Sequence, residues 1–209
     1  PGYIALVKKN RHAVDVYSFG SAYLGVNTHP FIVHADPNED GFKIESLAVD
    51  SKMVDRLDDR VGLLKGVDSL RRDIDSGGVF SSRDHFNTQA LEMLGSREVS
   101  DAFDLSKEDP KTIERYDTTK LFDMKVLNRY NDMYRSTNLL GHQMLMARRL
   151  CEAGCGFVTV ADAGWDMHGN QNSLPRLTGM EPLGTQVDHA VAAFLEDVEE
   201  RGLSDKILL

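Results

Sequence analysis

The sequence is poor in the features that mark the most easily recognised protein classes. Its 209 residues hold only two cysteines, Cys151 and Cys155, too few for a disulfide scaffold. Their C-x3-C spacing, with no further pair of ligands close by, does not make a zinc knuckle. They read instead as a small core residue and a residue where a strand begins. No run approaches the roughly 20 apolar residues of a membrane helix, and the mean hydropathy is -0.34, so a transmembrane segment is not expected. Basic residues are scarce, 24 against 33 acidic, for a net charge of -9. Such a surface is not built to hold a phosphate backbone, which argues against a nucleic-acid partner. The sequence has no P-loop, no G-x-G-x-x-G and no G-x-S-x-G elbow. The string Asp75-Ser76-Gly77-Gly78 lies at the end of a charged amphipathic stretch and reads as a helix stop, not as a serine-protease motif.

What is present is ordinary globular material, 41% apolar and 27% charged, enough to bury a core without staples. The first part is extended and turn-rich, with strands expected at Tyr3–Val7 and Phe31–Val33. Apolar residues at Val61, Leu64, Val67, Leu70 and Ile74 recur at helical spacing. Further helices are expected from about Ser82 to Leu94, from Ser96 through Phe103, and in the segment from Ser106 and Asp109 to Tyr116. Leu140, Met144, Ala147, Leu150 and Cys151 form a stripe on a long helix that Gly154 should terminate. Phe157-Val158-Thr159-Val160 follows as a buried strand of a parallel sheet. Val187, Ala190, Val191, Phe194, Leu195 and Val198 mark a last helix, with Glu196, Asp197, Glu199 and Glu200 outward and Gly202 closing it. Ile207 should open another strand. Helix, strand, loop, helix, strand is the grammar of a layered α/β domain.

In such folds ligands gather beyond the carboxyl ends of the strands. That rule selects the loop after Val160, from Asp162 to Asn170, which holds Asp162, Trp165, Asp166, His168 and Asn170. Asp166 and His168 offer an oxygen and a nitrogen donor that suit zinc, manganese or a similar divalent ion. Asp188, on the last helix, is a candidate to orient a ligand from behind. By spacing alone the commoner reading is that Asp166 caps a turn, Trp165 packs and His168 is a surface histidine. The other histidines, His142 and His189 among them, read as surface or capping residues.

Several strings together resemble the bacterial family designated domain of unknown function 1501, grouped with sulfatase-like and alkaline-phosphatase-like proteins. They are Tyr23-Leu24-Gly25 with Pro30-Phe31, Arg56-Leu57-Asp58-Asp59-Arg60, and Ala102-Phe103-Asp104-Leu105-Ser106. Ala147-Arg148-Arg149-Leu150 with Glu152-Ala153-Gly154 follows, then Gly164-Trp165-Asp166 with His168-Gly169, and Leu195-Glu196-Asp197 with Arg201-Gly202-Leu203. The resemblance implies an alkaline-phosphatase-like layered α/β fold, with a mostly parallel sheet flanked by helices. It also implies divalent metal (zinc, calcium or manganese) held by Asp166 and His168, and a periplasmic or otherwise extracytoplasmic location. The substrates implied are sulfate or phosphate esters of small molecules or polysaccharides. The alternative is a non-catalytic cell-envelope binding or scaffolding module on the same fold.

The sequence departs from the resemblance in three places. Residues 117–137 look inserted, His142 stands where glutamine is common, and Asn170 where aspartate is common. Because the chain opens directly on a strand and closes on Ile207-Leu208-Leu209, it reads as the central part, 1–209, of a domain incomplete at both ends. Such a piece would be inactive alone and would leave sheet edges open near Tyr3 and Ile207.

Overall fold

The structure, a computed structural model, describes residues 2–7, 23, 28–34, 36, 37, 42, 97–123, 138–165 and 179–209. The helices expected within 61–74 and 82–94 lie outside the described residues. Three strands, β1 (Tyr3–Val7), β2 (Phe31–His34) and β3 (Phe157–Val160), form a parallel sheet in the order β2-β1-β3. Ile4 stands opposite Phe31 on one side and Val158 on the other. Four helices are described: α1 (Arg97–Phe103), α2 (Pro110–Arg115), α3 (Leu140–Glu152) and α4 (Met180–Glu200), with a 3-10 turn at Leu105–Lys107.

β1 is central because it is apolar on both faces. Ile4, Ala5, Leu6 and Val7 are all buried, as expected of a strand covered from above and below. The expected open edge near Tyr3 is therefore not found. β3, expected to be buried, ends the described strand order instead, with Phe157 61% exposed and Val158 to Val160 only half-buried. Among the described residues its one neighbour is β1. Tyr3 crosses to it twice, through a T-shaped contact with Phe157 at 5.1 Å between ring centroids and a 3.0 Å hydrogen bond between its hydroxyl and Thr159 Oγ1. No strand forms at Ile207. The backbone N–H groups of Lys206 and Ile207 both turn back to Leu203 O, and Ile207 packs on the core from a turn.

Helix starts and stops follow local chemistry. Asp104 accepts from Ser106 N–H and caps the 3-10 turn, and Asp109 accepts from Thr112 N–H ahead of Pro110 at the first helical position, the two arrangements that satisfy orphan amides there. α3 and α4 both end on the same device. Gly154 and Gly202 take φ of 88° and 65°, Cys155 N–H returns to Leu150 O, and Leu203 N–H returns to Val198 O. This six-to-one bond over a left-handed glycine is the Schellman motif.

The core joins Ile4, Leu6 and Val33 of the sheet to Val99, Ala102 and Phe103 of α1, to Leu145 and Leu150 of α3, and to Ala190, Phe194 and Val198 of α4. Leu195, expected inward, is 54% exposed. Cys155 is buried with its thiol on Phe157 O, Cys151 is half-buried, and burial pushes both thiols above their usual range. Only Cys155 belongs to the core.

Candidate functional site

All three strands run the same way, so Val7, His34 and Val160 end at one edge of the sheet. The loop singled out from the sequence leaves from that edge. Ala161 N–H still bonds to Leu6 O, which carries the ladder one residue further and fixes where the loop begins. Asp162 is half-buried and accepts a 2.9 Å hydrogen bond from Trp165 Nε1 through Oδ2. Gly164 between them has φ of 98°, the left-handed turn that lets the indole fold back onto the carboxylate. Trp165 is 40% exposed. Asp166, His168 and Asn170 lie outside the described residues, and Asp188 lies exposed on α4. Among the described residues no group of three or more His, Cys, Asp or Glu is placed to hold a metal ion.

The amino end of α3 lies at the same edge, because α3 turns through Gly154 directly into the start of β3. His142 sits in its first turn. Burial lowers its basicity, while the charges of Asp117 and Asp36 and a bond to the Ile113 backbone work the other way without cancelling the shift. The segment arriving from α2 is locked here. Thr118 Oγ1 donates to Asn138 O at 2.8 Å and accepts from Gly141 N–H at 3.2 Å. The two ends of the stretch that looks inserted, 117–137, therefore meet. Asp117 Oδ1 closes the first turn of that stretch by accepting from Thr119 N–H at 2.9 Å.

Among the described residues the largest group of charges lies elsewhere, over the second half of α3. Arg148 is 1% exposed. Its Nε donates to Asp197 Oδ2 at 2.9 Å, one terminal nitrogen donates to Glu108 Oε2 at 2.6 Å, and the other pairs with Glu152. Arg149 donates to the same Glu108 oxygen at 2.8 Å and to the carbonyls of Asp101, Ala102 and Asp104. Arg201 reaches Asp197 at 2.7 Å and Glu108 at 2.9 Å. Tyr116 Oη donates to Asp197 Oδ2 at 3.0 Å. Three guanidinium groups thus face three carboxylates, and each carboxylate touches at least two arginines. Asp197, expected on the outer face of the last helix, is 2% exposed and stands at the centre.

Burial alone would raise the Glu108 carboxyl, but bonds from Arg148 and Arg149 outweigh it and hold the group at about 2. A depressed carboxyl stabilises the fold fully above its unfolded value of 4.5 and loses that contribution as pH falls toward about 2. The expected loss is on the order of 3 kcal/mol. His142, lowered by burial, begins to destabilise the fold earlier, as pH drops below its ordinary 6.5. Urea midpoints measured against pH should therefore decline in two stages. Glu108→Gln should flatten only the lower one, and an unaltered acid limb in that variant would refute the assignment.

The cluster ties α3 and α4 to each other and to Glu108. Sequence reasoning missed it because a buried aspartate next to Glu196, Glu199 and Glu200 has the composition of a solvated face. The signal was the periodicity: Asp197 continues the inward line of Ala190, Ala193 and Phe194.

The fold and this edge define a mixed α/β protein that presents a polar loop beyond the carboxyl ends of a parallel sheet. The family model of the proteins of unknown function designated DUF1501 matches residues 1–209, and the chain belongs to that family. No curated protein and no solved structure matches it. Most of the strings that carry the resemblance lie at least partly among the described residues. Ala147 to Leu150, Glu152 to Gly154, Leu195 to Asp197 and Arg201 to Leu203 build the ion cluster and the two helix stops, while Gly164-Trp165 builds the start of the loop.

Proposed function

We propose that the chain carries part of the site of a metal-dependent hydrolase of sulfate or phosphate esters, acting outside the cytoplasm, with the 162–170 loop supplying metal ligands. The observation behind this reading is the position of Asp162 and Trp165. They leave β3 at the edge of a parallel sheet where ligands collect, and the indole bond fixes one carboxylate oxygen at the base of the loop. Asp166 and His168 follow directly.

The donor chemistry fits a divalent ion. Carboxylate and imidazole satisfy zinc or manganese, and carboxylates with the Asn170 amide satisfy calcium. Asp162, already engaged by Trp165, suits the role of holding the loop. A bound metal in this class polarises the ester oxygen or activates water. The chain's own part is to hold the ligand loop in place through β3, Asp162 and Gly164.

Elemental analysis tests the reading. The native protein should retain a divalent metal through gel filtration, and Asp166→Ala combined with His168→Ala should lose it with an unchanged circular dichroism spectrum. Unchanged metal content in the double variant, or no metal in the native protein, would leave the second reading, a binding or scaffolding module. That reading draws its support from the ion cluster, in which several residues of the strings that carry the resemblance, Arg148, Arg149, Glu152, Asp197 and Arg201, are engaged with one another and with Glu108.

A further inference from the structure

The foot of the 117–137 stretch is built from short-range bonds around the first turn of α3. Thr118 Oγ1 spans Asn138 O and Gly141 N–H, and Asp117 Oδ1 accepts from Thr119 N–H. The Tyr116 carbonyl lies so close to Gly141 that no Cβ fits between them. His142 is the next residue. It is half-buried, its Nε2 is shut off from solvent, and its ring bonds to the Ile113 backbone of α2. One imidazole therefore stands where α2, the foot and α3 meet.

Among the described residues the charges that act on this ring are those of Asp117 in the foot and Asp36 after β2. Both favour an imidazolium. Asp117 is already matched by Lys120 at 3.2 Å, which weakens its pull. Arg115 and Tyr116, which lead into the foot, are turned away to Glu200 and Asp197. Two effects oppose the charged form. Burial strips the cation of its water, and the ring stands in the first turn of a helix, where backbone N–H groups present a positive field. The balance favours the neutral ring.

We propose that His142 is a pH-sensitive latch. Neutral, it holds the foot, 117–118 with 138–141, against α2 and α3; protonated, it releases the foot while the sheet stays closed. An imidazolium regains its hydration only when the packing over the ring opens. The foot is fastened there by a single threonine hydroxyl, whereas α3 is anchored by the buried pair of Arg148 and Asp197, so the foot gives way first. The open form carries more protons than the closed one, and acid therefore favours it. The latch stands at the sheet edge from which the loop after β3 leaves, and its opening changes what that edge exposes. It works whether or not the loop binds metal.

Amide hydrogen exchange of the intact chain tests the latch, read residue by residue by NMR and corrected for the intrinsic pH dependence of exchange. Between about pH 7.5 and about pH 5 the protection of Gly141 N–H should fall at least about five-fold, with about 30-fold as the limit for an open ring titrating at its ordinary 6.5. Ala161 N–H, bonded to Leu6 O in the ladder, should keep its protection. His142→Gln, which puts a neutral side chain at this position, should abolish the fall at Gly141. The His142 ring is titrated in the native protein as well, so that the test stays decisive if the variant fails to fold; its midpoint should lie below 6.5. Constant protection of Gly141 in the native chain would overturn the proposal. So would an equal fall in His142→Gln, an equal fall at Ala161, or a ring midpoint at or above the ordinary value.

Discussion

Gly141→Ala should be among the most damaging single-methyl additions this chain can receive, lowering stability by at least about 3 kcal/mol. A Cβ at this position would fall 1.7 Å from the Tyr116 carbonyl oxygen and 2.9 Å from Thr118 Cγ2. The first of these atoms is backbone and has no rotamer through which to escape. Relief would require α3 to separate from the segment that follows α2, which would break the 3.2 Å bond from Gly141 N–H to Thr118 Oγ1. Alanine gains only about 1 kcal/mol over glycine in helix propensity, so the clash decides the sign. Gly184 is the control. It lies inside α4 with nothing within 4 Å of a Cβ position, and Gly184→Ala should stabilise by about 0.5–1 kcal/mol. Urea unfolding of both variants measures the contrast, and equal effects of the same sign would refute the close approach.

Arg148→Met should cost about 3–5 kcal/mol, although methionine can fill much of the same volume. The cost arises from what is left behind. Glu108 and Asp197, both almost completely buried, lose one of their arginines, and Glu152 loses its shorter contact. An unbalanced buried charge is worse than no charge, because its desolvation is no longer offset by a partner. The comparison is Arg115→Ala. Arg115 pairs with Glu200 at 2.8 Å, but Glu200 is well exposed, and an ion pair of that kind contributes less than about 1 kcal/mol. Thermal and urea denaturation of the two variants should therefore differ several-fold in effect. A mild Arg148→Met would mean that water reaches the cluster.

Much of the fold was legible from residue order. Gly154 and Gly202 mark helix ends because left-handed backbone suits glycine, and that preference is local. Strands at Tyr3–Val7, Phe31–His34 and Phe157–Val160 follow from short apolar runs bounded by turn residues. Other features depend on what neighbours what. Whether Val158 is covered on one side or two is set by strand order, which no window of sequence contains. Asp197 looked solvated because three of its close neighbours are acidic and exposed. Its true environment is made by Glu108, Arg148 and Arg201, brought in from three separate segments.

The same division holds for the edge from which the loop after β3 leaves. That Asp162, Trp165, Asp166 and His168 follow a strand is a fact of sequence, and it sufficed to select the loop. The bond from Trp165 to Asp162 also lies within reach of sequence, since it closes over three residues and one glycine. The burial of Gln186 on α4 does not. A glutamine on a helix of mixed composition carries no mark of burial until the rest of the chain packs around it.

By itself, then, the amino-acid sequence determined the scarcities that exclude whole classes, the helix stops, the strands and the loop worth examining. These rest on backbone preferences and side-chain periodicity, which act over a few residues. Only the tertiary structure decided which charges are buried, which strand is central and where a methyl group cannot be added. Burial is set by segments far apart in the chain, and its electrostatic and steric costs exist only once they meet.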